Sequence, residues 1–221
     1  VSRPSSLDSK NNQALKELGV NLVGADLDGP KNDWVRLLTG ADVVISAVNA
    51  AVLRKQIYLA NAAKEAGVGR FIPCFFATAC PPRGVMQLRE IVKRTMVLTQ
   101  QSEAGKLTIS QKEDVLDHIK RIYLPYTVID VGWWYQISAP RLPSGRIDYA
   151  ISFPSDRIAG DGTVPVARTH LKDIGRYVAK IIADPRTLNK MVFAYSEVSS
   201  QSQVFDTLEK VSGEQLERNY V

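Results

Sequence analysis

Asp42-Val43-Val44-Ile45-Ser46-Ala47-Val48 leads, through an Ala-rich stretch at 51–66 and Gly67, to Arg70-Phe71-Ile72-Pro73-Cys74-Phe75-Phe76. The two flanking runs are almost continuously apolar, as parallel strands covered on both faces must be. The stretch between them has helical length and composition, and Gly67 supplies the left-handed residue that commonly ends a helix. Strand, helix and strand in this order form one βαβ unit. Upstream, residues 9–18 read as a helix closed by Gly19, and 21–25 as a short strand ending at Asp26. Residues 30–38 read as a helix with Pro30 in its opening turn and Gly40 past its end, the asymmetry that helices favour. Downstream, Lys112 opens a predicted helix that feeds a buried strand at 126–131. The alternation predicts a doubly wound, Rossmann-like parallel α/β sheet.

The pattern changes after Gly132. Trp133-Trp134-Tyr135 and 140–149 read as irregular chain with short strands, and 157–165 as a loop or hairpin. A helix at 170–183, a strand at 191–195 and a last helix at 204–211 follow. This predicts a nucleotide-binding domain over 1–131 and a small α+β substrate-side region over 132–221, incomplete and partly interleaved with the sheet. Residues 91–110 show no sustained period and are expected to form an inserted surface loop, partly helical at 92–100.

With 45% hydrophobic and 23% charged residues, the chain has the composition of a soluble globular protein. No apolar run reaches the roughly 20 residues that span a bilayer, so no membrane partner is expected. The first six residues lack the basic and apolar segments of a signal peptide, which predicts a cytoplasmic protein with Cys74 and Cys80 reduced. The net charge of +5 is spread among carboxylates rather than clustered, which argues against nucleic acid. No His, Cys and carboxylate spacing suggests a metal.

Ligands of doubly wound sheets bind beyond the carboxyl ends of the strands. Here those ends carry Arg3, Asp26, Ser46, Ala47, Val48, Cys74, Phe75, Phe76 and Gly132-Trp133. Arg3 is either a solvated terminal arginine or a planar fork for a 2′-phosphate. Cys74 is either a reactive thiol or a small buried hydrophobe. Trp133, Trp134 and Tyr135 are either core packing or the wall of an aromatic-binding site. His118 reads as a solvated mid-helix residue, and His170 as a helix N-terminus or a general acid. No Gly-x-Gly-x-x-Gly or Gly-x-x-Gly-x-x-Gly occurs in the chain, so the usual backbone cradle for a pyrophosphate is not among these residues. No Tyr stands four residues before any Lys, which disfavours a Tyr-Lys proton relay. Lys112 is therefore either a surface lysine at a helix start or a group that relays a proton alone, made competent by partial burial.

The spacing from Lys112 to Pro125-Tyr126-Thr127 resembles the NmrA-like and isoflavone-reductase-like branch of the atypical short-chain dehydrogenases. Arg3-Pro4, Gly24-Ala25-Asp26-Leu27-Asp28, Asp42-Val43-Val44-Ile45-Ser46 and Arg70-Phe71-Ile72-Pro73 fall in that family's order. So do Asp173-Ile174-Gly175 and 183–190. The resemblance runs from about Arg3 to Tyr195. It implies a Rossmann-like sheet lacking its first strand, as in an N-terminally truncated relative, and an NADPH cofactor with Arg3 at its 2′-phosphate. It implies Ser46, Ala47, Val48, Cys74, Phe75 and Phe76 along the cofactor and Lys112 as general acid/base. Gly132, Trp133, Trp134 and Tyr135 would lie against a small phenolic substrate, and a homodimer is compatible with the family. The expected function is an NADPH-dependent reductase; an NADP-binding sensor without activity and an inactive remnant are the alternatives.

Overall fold

The computed structural model of the protein describes residues 1–77, 103–137, 139–151 and 156–221. Cys80 and the part of the expected insert at 91–102 lie outside the described residues. The chain gathers into two units: residues 1–74 with 81–127, and 75–80 with 128–221.

The first unit is built on the predicted βαβ. Strands β1 (Val43–Ile45) and β2 (Arg70–Ile72) run parallel, with Val43 opposite Arg70, Val44 opposite Phe71 and Ile45 opposite Ile72. On its other side, Phe71 makes a parallel bridge with Tyr126, and its N–H donates to Pro125 O at 2.8 Å. Phe71 and Ile72 are fully buried, each contributing about 1.5–3 kcal/mol of apolar burial. Helix α1 (Lys10–Glu17) starts where Ser9 Oγ accepts the Asn12 N–H, and Gly19 beyond it takes φ +84°. Helix α2 (Lys31–Leu38) buries Trp34 and Leu38, and Trp34 Nε1 donates to Asp26 O at 2.8 Å.

Three expectations change in this unit. Residues 21–25 form no strand; only Ser2 and Gly24 make an isolated parallel bridge. Gly24 lies against the neighbouring turn, where a Cβ would stand 2.9 Å from Leu7 Cδ1. The helix expected over 51–66 is two pieces, a 3-10 helix (Ala50–Lys55) and helix α3 (Gln56–Glu65). The break is at Val52, whose φ of −119° and ψ of 18° are not helical, and the buried Gln56 side chain donates to the Leu53 carbonyl at 3.1 Å. Finally, helix α4 runs from Glu103 to Arg121, so 103–110 is helix rather than loop. Lys112 sits near its middle, not at its head. Gly105, Thr108 and Ser110 are poor helix formers, and packing of the buried stripe beyond them overrides that weak propensity.

Strand β3 (Thr127–Asp130) carries the chain into the second unit, where it pairs with β7 (Lys190–Phe193). Trp133–Trp134, in the stretch expected to hold irregular chain with short strands, forms strand β4, which pairs in parallel with β6 (Val166–Thr169); β6 pairs antiparallel with β8 (Glu197–Ser199). Gly132 makes this possible. It takes φ +66°, and a Cβ there would stand 2.4 Å from Ala167 O. The stretch 157–165 is not a hairpin: β5 (Arg157–Ile158) pairs in parallel with β9 (Asn219–Tyr220). Helix α5 (Leu171–Ala183) is followed by helix α6 (Gln201–Ser212), which opens with a Ser200/Gln203 capping box. Phe205 on α6 packs with Leu142, Ile158 and Leu216 as a small core. No described helix is long and apolar enough to cross a membrane.

Candidate functional site

Because β1 and β2 are parallel and in register, the residues that follow them emerge at the same edge. The Ser46 N–H donates to Ile72 O at 2.9 Å, extending the ladder by one step. Ser46 is 3% exposed, and its Oγ has no hydrogen-bond partner among the described residues. A hydroxyl left unpaired in this way costs about 1–3 kcal/mol, so a native protein keeps it only where something else meets it. Ala47 is exposed and Val48 half-buried. Cys74 is held from two directions: its N–H donates to Gln56 Oε1 at 2.6 Å, and its thiol donates to Val48 O at 3.0 Å.

Lys112 belongs to this group. It is 8% exposed and shares the inner face of α4 with Gln111, Val115 and Ile119. Burial pushes the Cys74 thiol above its ordinary value, and the Lys112 charge pulls it back. Gln111 Oε1 is also buried without a partner among the described residues. The helix is tied to its neighbours by Arg54 Nε to Asp114 Oδ2 at 3.5 Å and by His118 Nε2, 2.7 Å from Asn61 Oδ1. His118 is thus not a solvated residue, and burial, with Arg121 nearby, holds its ring below the usual histidine value.

Arg3 is exposed at the N-cap of a 3-10 turn (Pro4–Ser6), directly after the Ser2–Gly24 bridge. No hydrogen bond or ion pair holds its side chain among the described residues. The structure thus assembles Ser46, Val48, Cys74 and Lys112, and leaves Arg3 in solvent. Gln56 was missed by sequence reasoning. Its signal was a glutamine in an otherwise apolar stripe with Leu59, Ala60 and Ala63.

In the second unit Phe75 is buried, and Trp134 Nε1 donates to Phe76 O at 2.7 Å. Trp133, Trp134 and Tyr135 are half-buried. Gly132, whose N–H donates to Asp130 Oδ1 at 2.8 Å, serves the close approach of two backbone segments. His170 caps α5, its Nδ1 accepting the Lys172 N–H at 3.2 Å. Among the described residues no His, Cys, Asp and Glu cluster could hold a metal.

The profile of the NmrA-like family matches residues 5–82. An asnovolin J 5′,6′-dehydrogenase of Aspergillus novofumigatus is 44% identical over 100% of this chain and 62% of its own length. A bifunctional pinoresinol-lariciresinol reductase of Linum perenne is 31% identical over 99% of this chain and 68% of its own. The chain thus spans about two thirds of the length of these relatives. Among solved structures, one from the pinoresinol-lariciresinol and phenylcoumaran benzylic ether reductases superposes with a TM-score of 0.76 at 26% identity, covering 99% of this chain and 68% of the other. The NADPH complex of leucoanthocyanidin reductase from Vitis vinifera gives 0.72 at 24%, covering 99% and 66%, a likeness of fold. With its parallel α/β core and these relatives, the chain belongs to the NmrA-like, isoflavone-reductase-like family.

Proposed function

We propose that this protein is an NADPH-dependent reductase of a small phenolic or related aromatic compound, with Lys112 as its general acid/base. The observation that carries this reading is the burial of Lys112 on the inner face of α4, in the same unit as Cys74, whose thiol its charge acts on. A lysine placed there by helix packing is neither a solvated cation nor a helix-end accident. The relatives named as reductases and a dehydrogenase support the reaction class, and the NADPH complex of a structural neighbour supports the cofactor.

The residues of this chain fit part of such a nucleotide. Ser46 Oγ is a buried, unpaired hydroxyl at a strand end, suited to a ribose or phosphate oxygen. Arg3 offers an exposed guanidinium for the 2′-phosphate. Ala47, Val48 and Cys74 would line the same edge, with Phe75 and Phe76 following. No glycine-rich phosphate turn occurs in residues 1–221, so the pyrophosphate contact is not assigned. NADPH, when bound, supplies the hydride. Lys112 donates a proton to the substrate oxygen that gains charge as reduction proceeds, and regains it from solvent.

The test uses the whole chain. NADPH fluorescence titration is expected to show saturable binding, and Arg3→Ala to erase any preference for NADPH over NADH. With pinoresinol and an isoflavone as trial substrates, Lys112→Ala is expected to lower turnover by about 10²–10⁴-fold while nucleotide affinity stays unchanged. A chain that binds NADPH but whose activity is indifferent to Lys112 would contradict the catalytic assignment. Binding with no turnover at all favours a nucleotide-sensing protein.

A further inference from the structure

The second unit contains a cavity of about 540 Å³ whose lining shares only Tyr135 with the substrate residues named above. It is bounded by the residues after β4, by β6 and β8, and by helix α6. Its volume lies in the range of small-molecule sites, roughly 300–1,000 Å³. Val204 and Leu208 give it an apolar side; Tyr135, Arg168, Glu197 and Ser199 give it a polar one.

The polar side is unfinished. Arg168 is 5% exposed and Ser199 8%, yet Arg168 Nε and Ser199 Oγ have no hydrogen-bond partner among the described residues. The Tyr135 hydroxyl also completes no hydrogen bond of good geometry there, although Glu197 and Ser199 lie close enough to act on it. Three unsatisfied polar atoms around one cavity are uncommon in native interiors, and a guanidinium can only donate. Burial, with Glu197 adjacent, pushes the Tyr135 phenol up to about 12, so it remains a neutral hydroxyl at physiological pH. What Arg168 Nε lacks on this side is an acceptor.

Charge narrows the class of ligand. Burial disfavours the Arg168 charge, while Tyr135 and the carboxylate of Glu197, opposite Arg168 across the β6–β8 ladder, favour it. Asp206 also lines the cavity and is engaged by Arg218 at 2.7 Å. An anion entering here would meet two carboxylates. A neutral acceptor would not, and Glu197 can in turn accept from a hydroxyl.

We propose that this cavity binds a neutral, largely apolar compound bearing a carbonyl and a hydroxyl group, with Arg168 and Ser199 donating to the carbonyl oxygen and Glu197 accepting from the hydroxyl. Val204 and Leu208 cover its hydrocarbon body. The site stands on the second unit alone and does not depend on the NADPH assignment.

Isothermal titration of the full chain, without nucleotide, tests it with four probes. These are 3-hydroxybenzophenone, 3-benzylphenol (hydroxyl without carbonyl), benzophenone (carbonyl without hydroxyl) and 4-benzoylbenzoate (an anion). The hydroxy ketone is expected to bind about tenfold or more tightly than each of the others, the scale of one hydrogen bond to a charged group. Arg168→Met should remove the advantage over 3-benzylphenol, and Glu197→Gln the advantage over benzophenone. Val204→Phe, which fills the cavity, should weaken all four. If Arg168→Met does not fold, the probe series on the unaltered chain and the two remaining variants still decide. No binding by the hydroxy ketone, equal binding of 3-benzylphenol, preference for the benzoate, or indifference to Val204→Phe would each overturn the proposal. Failure of NADPH to bind would leave it untouched.

Discussion

The edge of the parallel strands and the cavity beside helix α6 both keep buried polar atoms without partners, but they build them differently. At the strand edge, short-range backbone order does the work. Parallel register brings Ser46 and Cys74 out together, Gln56 clamps the Cys74 N–H, and one long helix delivers Lys112. In the second unit no such repeat exists. Arg168 and Ser199 come from the paired strands β6 and β8, and Tyr135 follows β4, which Gly132 lets approach β6. The first arrangement tolerates local change, because many contacts fix each residue. In the second, the approach of β4 to β6 hangs on one glycine.

This contrast can be broken most sharply at Gly132. Gly132→Ala places a Cβ 2.4 Å from Ala167 O at a φ of +66°, and a loss of about 3 kcal/mol or more in urea unfolding is expected. A smaller effect is expected at Thr169, whose Oγ1 donates to Val131 O at 2.6 Å. Thr169→Val strands that carbonyl and should cost about 1–2 kcal/mol by the same measurement. In the first unit, Ser46→Ala removes a hydroxyl that has no protein partner. It should leave unfolding stability within about 1 kcal/mol of the unaltered chain, yet weaken NADPH in the fluorescence titration. A Ser46→Ala loss as large as that of Thr169→Val would erase the distinction between a waiting hydroxyl and a structural one.

A pH dependence sharpens the same comparison. His118 is held below its ordinary value of 6.5, chiefly by burial, so the unfolded chain binds its proton more readily. The stability this provides is fully present above pH 6.5 and declines as pH falls through the lower, folded value. Thermal unfolding followed downward from neutral pH should show a decline, reduced in His118→Gln. An unchanged decline in that variant would remove His118 from the account.

The first unit was legible because its signals are local. Apolar runs at 42–48 and 70–76, and Gly19, Gly40 and Gly67 at helix ends, predicted the elements that formed. Legibility failed where tertiary packing overruled propensity. Residues 91–110 show no sustained period, which puts Lys112 at a helix head, whereas the Gln111, Lys112, Val115 and Ile119 stripe stabilises a helix that begins at Glu103. Gly24 and Val52 mark places where close approach and torsion, not pattern, decide. In the second unit the strands have two to four residues, too few for a period. Arg168 gave little warning because a charged residue within such a strand has no sequence pattern that reveals what lies across from it.

The placement of Lys112 is most directly tested by the rate at which Cys74 is alkylated by iodoacetamide, in a Cys80→Ser background. Only the thiolate reacts, and the Lys112 charge favours it. Lys112→Met is expected to slow the reaction, Lys112→Arg to preserve most of the rate, and saturating NADPH to protect the thiol. Equal rates in Lys112→Met and the parent chain would contradict a lysine cation at this strand edge, and with it the catalytic role proposed for Lys112.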